Sequence, residues 1–285
     1  MKINYGYDPK TNKFPYPERT DKHYLEVKKN NGLVFDENYP YIDKSWFFNF
    51  MRKVIYAVIF CIVFPLTHIR LGLRIYGKQN LKQNKVLLKN GAITVANHVH
   101  MWDYLSVMNA LKPRRPYLFV WAPNIRGEMS FVIRMVGGVP IPENNIKGTQ
   151  AFYQSIEQTL AEGHLVHIYS EGSMWEYYRP IRPFKTGAAY FSAKCQKPII
   201  PMAFSYRKPG WIRRKIFHQI ALFNLNIGKP ITPGGMSVGE LTAKVHEEIC
   251  NLAGIQNNLY NPIFHDDRRI DYYTSEYGIG YKGSY

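Results

Sequence analysis

The chain is short of disulfide-forming residues. Its 285 residues hold three cysteines, Cys61, Cys195 and Cys250. An odd number with no Cys-x-x-Cys pair argues against a disulfide framework and for a reducing compartment. Acid is scarce as well: 21 Asp and Glu stand against 37 Lys and Arg, for a net charge of +16. Residues 1–45 contribute +1 and residues 259–285 contribute −1, so the excess lies in the middle of the chain. Such a field draws anionic partners. There is no internal repeat, and the longest apolar run, Val54 to Leu66, has only thirteen residues. As a helix that run reaches about 20 Å against a hydrocarbon core of about 30 Å, which is too short to cross. The long polar stretch ahead of it argues against a secretory signal.

What is present centres on Asn97-His98-Val99-His100-Met101-Trp102-Asp103, at the end of the apolar run Ala92 to Ala96. Imidazole takes a proton near neutral pH, and a nearby carboxylate fixes its tautomer and steadies the imidazolium. Five residues along one helix would turn the two side chains about 140° apart. The spacing therefore predicts His98 in a loop and Asp103 in the first turn of a helix, with Asn97 as its cap and Lys112-Pro113 as its stop. Taken alone, the pair reads more readily as a buried structural histidine beside a helix-start aspartate than as a catalytic base.

A second constellation follows. Leu165 to Tyr169 runs apolar like a strand and breaks at Ser170-Glu171-Gly172-Ser173. Pro183-Phe184-Lys185-Thr186-Gly187 then opens a helix, and Lys197 to Ala203 reads as a buried strand. Strand, polar tip, helix, strand is how an open α/β sheet delivers functional groups to the carboxyl ends of its strands.

With these residues in order, the chain resembles the glycerolipid acyltransferase family typified by lysophosphatidic acid acyltransferases. Asn97-His98 with Asp103 matches that family's Asn-His-x4-Asp motif. Glu171-Gly172-Ser173 matches its Glu-Gly-Thr block, Phe184-Lys185-x-Gly187 the segment after it, and Ile200-Pro201 its final strand motif. Two departures stand out. The family's second motif ends in arginine, where this chain reads Gly138-Val139-Pro140-Ile141-Pro142-Glu143; its third continues into arginine, where this chain has Met174. Methionine cannot imitate the guanidinium fork that binds phosphate.

The resemblance implies acyl transfer from a thioester to a lipid hydroxyl, with His98 as general base and Asp103 holding its ring. It implies substrate-binding roles for Asn97, Glu171, Gly172 and Ser173, and makes backbone N–H groups near Gly172 candidates for the oxyanion. Arg179, Arg182 and Lys185 are candidates for the phosphate that the missing arginines would have held. The acceptor is then a lysophosphatidic acid; otherwise it is another lyso-lipid, such as a glycolipid or aminolipid. The acyl donor is acyl-CoA or acyl carrier protein as cosubstrate, with no resident cofactor.

Other chemistries fit less well. His98-x-His100-x-x-Asp103 resembles part of a metal cluster, but the remaining histidines show no ligand spacing, so no metal is expected. Gly235-Met236-Ser237-Val238-Gly239 has the nucleophile-elbow pattern without the preceding strand. Ser237 with Glu240 reads better as a capping box. The sequence pI of about 9.6 would suit a nucleic-acid-binding module, yet no recognition motif accompanies the charge and no nucleic acid is expected. A catalytically silent membrane-binding relative remains as the further alternative.

The expected fold class is α/β: a mixed, mostly parallel sheet flanked by helices, with an N-terminal membrane-associated helical hairpin. Residues 1–45 form an irregular extension, 46–75 the membrane-associated segment, which Pro65 is expected to break, 76–257 the acyltransferase domain and 258–285 a tyrosine-rich tail. A buried core helix is the alternative for the apolar segment. Strands are expected near 91–96, 117–121, 136–141, 164–169, 198–204 and 217–227. Helices are expected near 101–111, 149–162, 186–195 and 238–253. The cations after the apolar run, Arg70, Arg74, Lys78, Lys82 and Lys85, and the cluster Arg213-Arg214-Lys215 beside Trp211, suit anionic membrane lipids. The expected location is the cytoplasmic face of a membrane.

Overall fold

Seven strands make one twisted sheet in a computed structural model that describes residues 30–178, 180–217, 219 and 221–254, with the backbone of 270–275 and 278–281. They are β1 (Arg74–Tyr76), β2 (Ala92–Ala96), β3 (Tyr117–Trp121), β4 (Gly138–Ile141), β5 (Leu165–Ile168), β6 (Ile199–Arg207) and β7 (Leu222–Ile227). Their order across the sheet is β1-β7-β6-β2-β5-β3-β4. β6, β2, β5, β3 and β4 run parallel, whereas β7 is antiparallel to β6 and β1 runs with β7. The sheet is therefore mixed and mostly parallel. The central strand β2, Ala-Ile-Thr-Val-Ala, is buried at every position, as a strand covered on both faces must be. β1 and the reversed edge were not foreseen, because a three-residue strand carries no periodic signal.

Five longer helices surround the sheet: α1 (Trp46–Arg70), α2 (Asp103–Leu111), α3 (Ile146–Ala161), α4 (Gly187–Cys195) and α5 (Val238–Ala253). In α3, Phe152, Ile156 and Leu160 are buried at four-residue steps, the face the sequence predicts. The Ser237/Glu240 capping box opens α5, also as expected. α2 stops at Lys112, whose extended backbone suits the residue before a proline.

The N-terminal apolar segment differs from the expected hairpin. It is one helix of 25 residues, about 37 Å long, and it passes through Pro65. A π-turn over Ile59–Val63 comes directly before the segment Phe64–Arg70, in which Pro65 occupies the first turn. A proline lacks an N–H, and the change to i→i+5 bonding places that gap where the ladder is already shifting. By length and composition alone the helix could cross a membrane, contrary to the reading from its thirteen-residue core. One face is nevertheless tied to the domain. Arg52 donates to the carbonyls of Arg115 and Pro116, and Tyr56 Oη to Arg114 O at 2.8 Å. Asn109 of α2 reaches both Thr67 and His68. The opposite face exposes Trp46, Phe47, Phe50, Val54, Val58, Phe60, Ile62, Leu66 and Ile69.

Residues 30–45 cross the β4 side of the molecule as a strap. Phe35 and Tyr41 are buried there, and Arg134 donates to the carbonyls of Pro40 and Tyr41. Arg126 reaches Leu33 O and pairs with Glu143 at 3.1 Å. The tail contributes a two-stranded antiparallel piece, Ile270–Ser275 with Gly278–Tyr281; the rest of 258–285 lies outside the described residues.

Candidate active site

β2 and β5 are neighbours, so the segments leaving their carboxyl ends meet. The first carries Asn97 and His98, the second Tyr169 to Ser173. Asn97 does not cap α2, as the sequence reading expected. It is fully buried, donating to Phe204 O at 3.1 Å and accepting from Phe204 N at 2.7 Å. The amide thus continues the β2–β6 pairing by one more rung, which is worth more in the interior than a cap at a surface. Trp102 takes the cap position of α2, and Asp103 opens the helix.

His98 Nδ1 lies 3.2 Å from Asp103 Oδ2. The same oxygen accepts the N–H groups of Val99 at 2.6 Å and His100 at 2.8 Å. Three donors on one oxygen suit an ionised carboxylate, while burial pushes the Asp103 pKa well up. This arrangement fixes the Nδ1–H tautomer and leaves Nε2 without a partner among the described residues. The Tyr169 ring stacks on His98 with centroids 3.8 Å apart and planes within 9°. Burial, then the Arg182 charge, pushes His98 down to about 3, and its side chain keeps 24% of its surface open. The ring is neutral at physiological pH and able to accept a proton.

Behind this pair stands a buried strut. Glu171 accepts the backbone N–H of His98 at 2.9 Å and of Arg182 at 2.8 Å, and its carboxylate pairs with the Arg182 guanidinium at 2.9 Å. Arg182 also donates to Ser173 Oγ at 2.6 Å and to Ser173 O, and lies 4.5 Å from the Trp175 ring centre. Glu171, Ser173 and Arg182 are all buried. The substrate contacts expected of these three, and the phosphate role expected of Arg182, are corrected here: each side chain is spent on the others and on holding the His98 loop. A buried guanidinium is tolerated only when paired and hydrogen-bonded. Arg179 lies outside the described residues.

Gly172 is half-buried and Lys185 is exposed. Gly172 has φ of +78° and a Cβ there would meet Lys185 Nζ at 2.9 Å; glycine both permits the turn and makes room for the ammonium. The Gly172 N–H donates to Tyr169 O at 3.0 Å, so it is already committed and is not an oxyanion donor in this arrangement. Among the described residues, Lys185 is the exposed cation at this motif.

Sequence reasoning missed three parts. Tyr169 adjoins the Glu171 motif yet read as the end of a strand. Glu176 lies 3.5 Å from His100 Nε2, and burial pushes the Glu176 carboxyl up to about 8. Backbone bonds from Trp175 to His98 O and from Tyr177 to Val99 O clamp the two loops together. His98 and His100 therefore serve two different carboxylates, rather than turning toward a common ligand.

Burial pushes His98, His100 and His167 each down to about 3. Such groups contribute stability that is complete above the unfolded histidine value of about 6.5 and is lost as pH falls toward 3. Urea midpoints measured across that window should fall steadily with acidification. A midpoint independent of pH there would contradict neutral burial of these rings.

Residues 72–205 match the family model described as Acyltransferase. This segment, just under half of the chain, is thus an acyltransferase-like domain. The matched segment runs from β1 into β6 and contains every residue of the site, while α1 and β7 fall outside it. Comparison with curated proteins finds no match. Among solved structures, the domain is similar to the 1-acyl-sn-glycerophosphate (LPA) acyltransferase PlsC from Thermotoga maritima. The identity is 18%, over 63% of this chain and 69% of that one, with a TM-score of 0.47.

Proposed function

We propose that this acyltransferase moves a fatty acyl chain from a thioester, of coenzyme A or acyl carrier protein, to the hydroxyl of a lysophosphatidic acid or related lyso-lipid. The observation that carries this reading is the His98–Asp103 pair, with Nδ1 occupied and Nε2 open. Nε2 removes the acceptor's hydroxyl proton as the oxygen attacks the thioester carbonyl, and Asp103 stabilises the imidazolium. The tetrahedral intermediate collapses to the ester, the C–S bond breaks, and the thiolate leaves with the proton held on His98. No covalent acyl-enzyme is required.

In this reading the enzyme works at a membrane surface, on its cytoplasmic side. Support comes from the exposed apolar face of α1 and from Trp211, Ile212, Ile216 and Phe217, which are likewise exposed. Arg213 Nη1 donates to Ile69 O and Gln219 to Arg70 O, so this second apolar group adjoins the end of α1. Arg213, Arg214 and Lys215 beside it suit anionic lipids, at about 1 kcal/mol per cation near the surface.

The inward turn of Arg182 favours a second reading of the acceptor. With Met174 and Arg182 both buried, Lys185 is the described cation left at the motif for a phosphate, and a glycolipid or aminolipid acceptor becomes competitive. An acceptor panel with purified enzyme decides between them. For lysophosphatidic acid we expect robust turnover and a KM about tenfold higher in Lys185→Ala, the loss of one charge-assisted contact. Turnover confined to uncharged or amine-bearing lyso-lipids would leave the phosphate reading without support.

A further inference from the structure

The end of the sheet away from His98 holds a cavity of 590 Å³, where β3 and β5 begin. Strands of four to five residues separate the two ends by roughly 15 Å. The lining includes five cations, Lys44, Arg52, Lys89, Arg114 and Arg115, against two carboxylates, Asp43 and Glu162. Glu162 is already taken by Lys44 at 2.5 Å. Arg52 enters from α1 and is only 6% exposed. Its guanidinium faces two backbone carbonyls and lies 4.2 Å from the Tyr117 ring centre, with no carboxylate among the described residues. Arg114 donates to Leu88 O, and Arg115 lies 5.9 Å from the Tyr56 ring centre.

A buried cation without an anion is among the costliest arrangements in a fold, and like charges around one cavity raise that cost. His164 lies on the same rim. Burial holds its ring below the ordinary histidine value; Glu162, the largest charge acting on it, pulls the other way, and Arg52, Lys44 and Arg115 oppose Glu162. Guanidinium forks beside ammonium groups match the oxygens of a phosphate. We propose that this cavity binds a phosphate ester, carried either by a phospholipid headgroup or by a free phosphate compound. Asn49 and Arg52 line it from the same helix that exposes an apolar face, so a headgroup could enter while its chains remain in lipid.

The test follows the His164 ring by NMR in the full chain, titrated with inorganic phosphate and, separately, with nanodiscs of phosphatidylcholine with and without phosphatidate. An anion beside the ring favours its charged form, so binding raises the His164 pKa. Movement with inorganic phosphate supports a free phosphate ester; movement only with phosphatidate discs supports a headgroup. In Lys89→Ala/Arg115→Ala the affinity should fall about a hundredfold, tenfold for each cation lost. Acyl transfer by the same variant should be unchanged, which separates this site from the catalytic one. Single Lys89→Ala, at an exposed position, keeps the comparison available should the double variant unfold. A His164 ring unmoved by either ligand, or moved equally in the variants, overturns the proposal.

Discussion

His98→Ala is expected to lower acyl transfer by about 10²–10⁴, the range for losing a positioned general base. The rate is read from thiol release with a defined acyl thioester, alongside a thermal melt to confirm the fold. The ring is partly open and its main packing partner is the Tyr169 stack, so the fold should survive its removal. Asp103→Asn should also lose activity. Oδ2 accepts three N–H groups, and an amide rotated to keep two of them no longer stabilises an imidazolium. The pH profile adds an independent mark. With His98 pushed down to about 3, the base is in its working form across the physiological range, so kcat/KM should not fall between pH 8 and 6 for want of a deprotonated base. Acyl transfer at near wild-type rate in His98→Ala would remove the general-base reading altogether.

Arg182→Met should be the most destabilising single change at the site, by about 3–5 kcal/mol, because it leaves the Glu171 carboxylate buried and unpaired. Denaturant unfolding measures the loss. The double variant Glu171→Gln/Arg182→Met should recover part of it, since the uncompensated charge is gone. Activity should not recover with it. Glu171 fixes the His98 backbone N–H at 2.9 Å, and loss of that bond frees the loop that aims Nε2. A stability loss below about 1 kcal/mol in Arg182→Met, the scale of an exposed ion pair, would mean that the strut is far less demanding than its burial indicates.

These two expectations rest on parts of the molecule that were unequally legible in the sequence. The His98–Asp103 pair was readable because five-residue spacing and residue chemistry constrain each other within one short segment. β2, β3 and α5 fell close to their expected bounds for a similar reason, since each is a local pattern of apolar spacing and capping. Arg182 was misplaced because a cation among prolines reads as surface until Glu171 and Ser173 are known to lie inward. Asn97 failed as a cap because its partner, Phe204, is 107 residues away. The π-turn in α1 has no apolar period of its own, so the proline read as a break when the helix passes through it. Sheet order was likewise invisible, being set by crossovers between segments far apart in the chain.

The docking of α1 has a consequence for how the protein is made. Arg52 closes onto Pro116, 64 residues downstream, and Asn109 onto Thr67 across 42. The helix ends at Arg70, so at roughly 5–20 residues per second the ribosome completes it about two to nine seconds before the carbonyls that receive Arg52 exist. Throughout that interval neither face of an apolar helix has its domain to rest on. During synthesis the helix is therefore complete before the surface that covers its inner face, and its docking is a late, long-range step of folding.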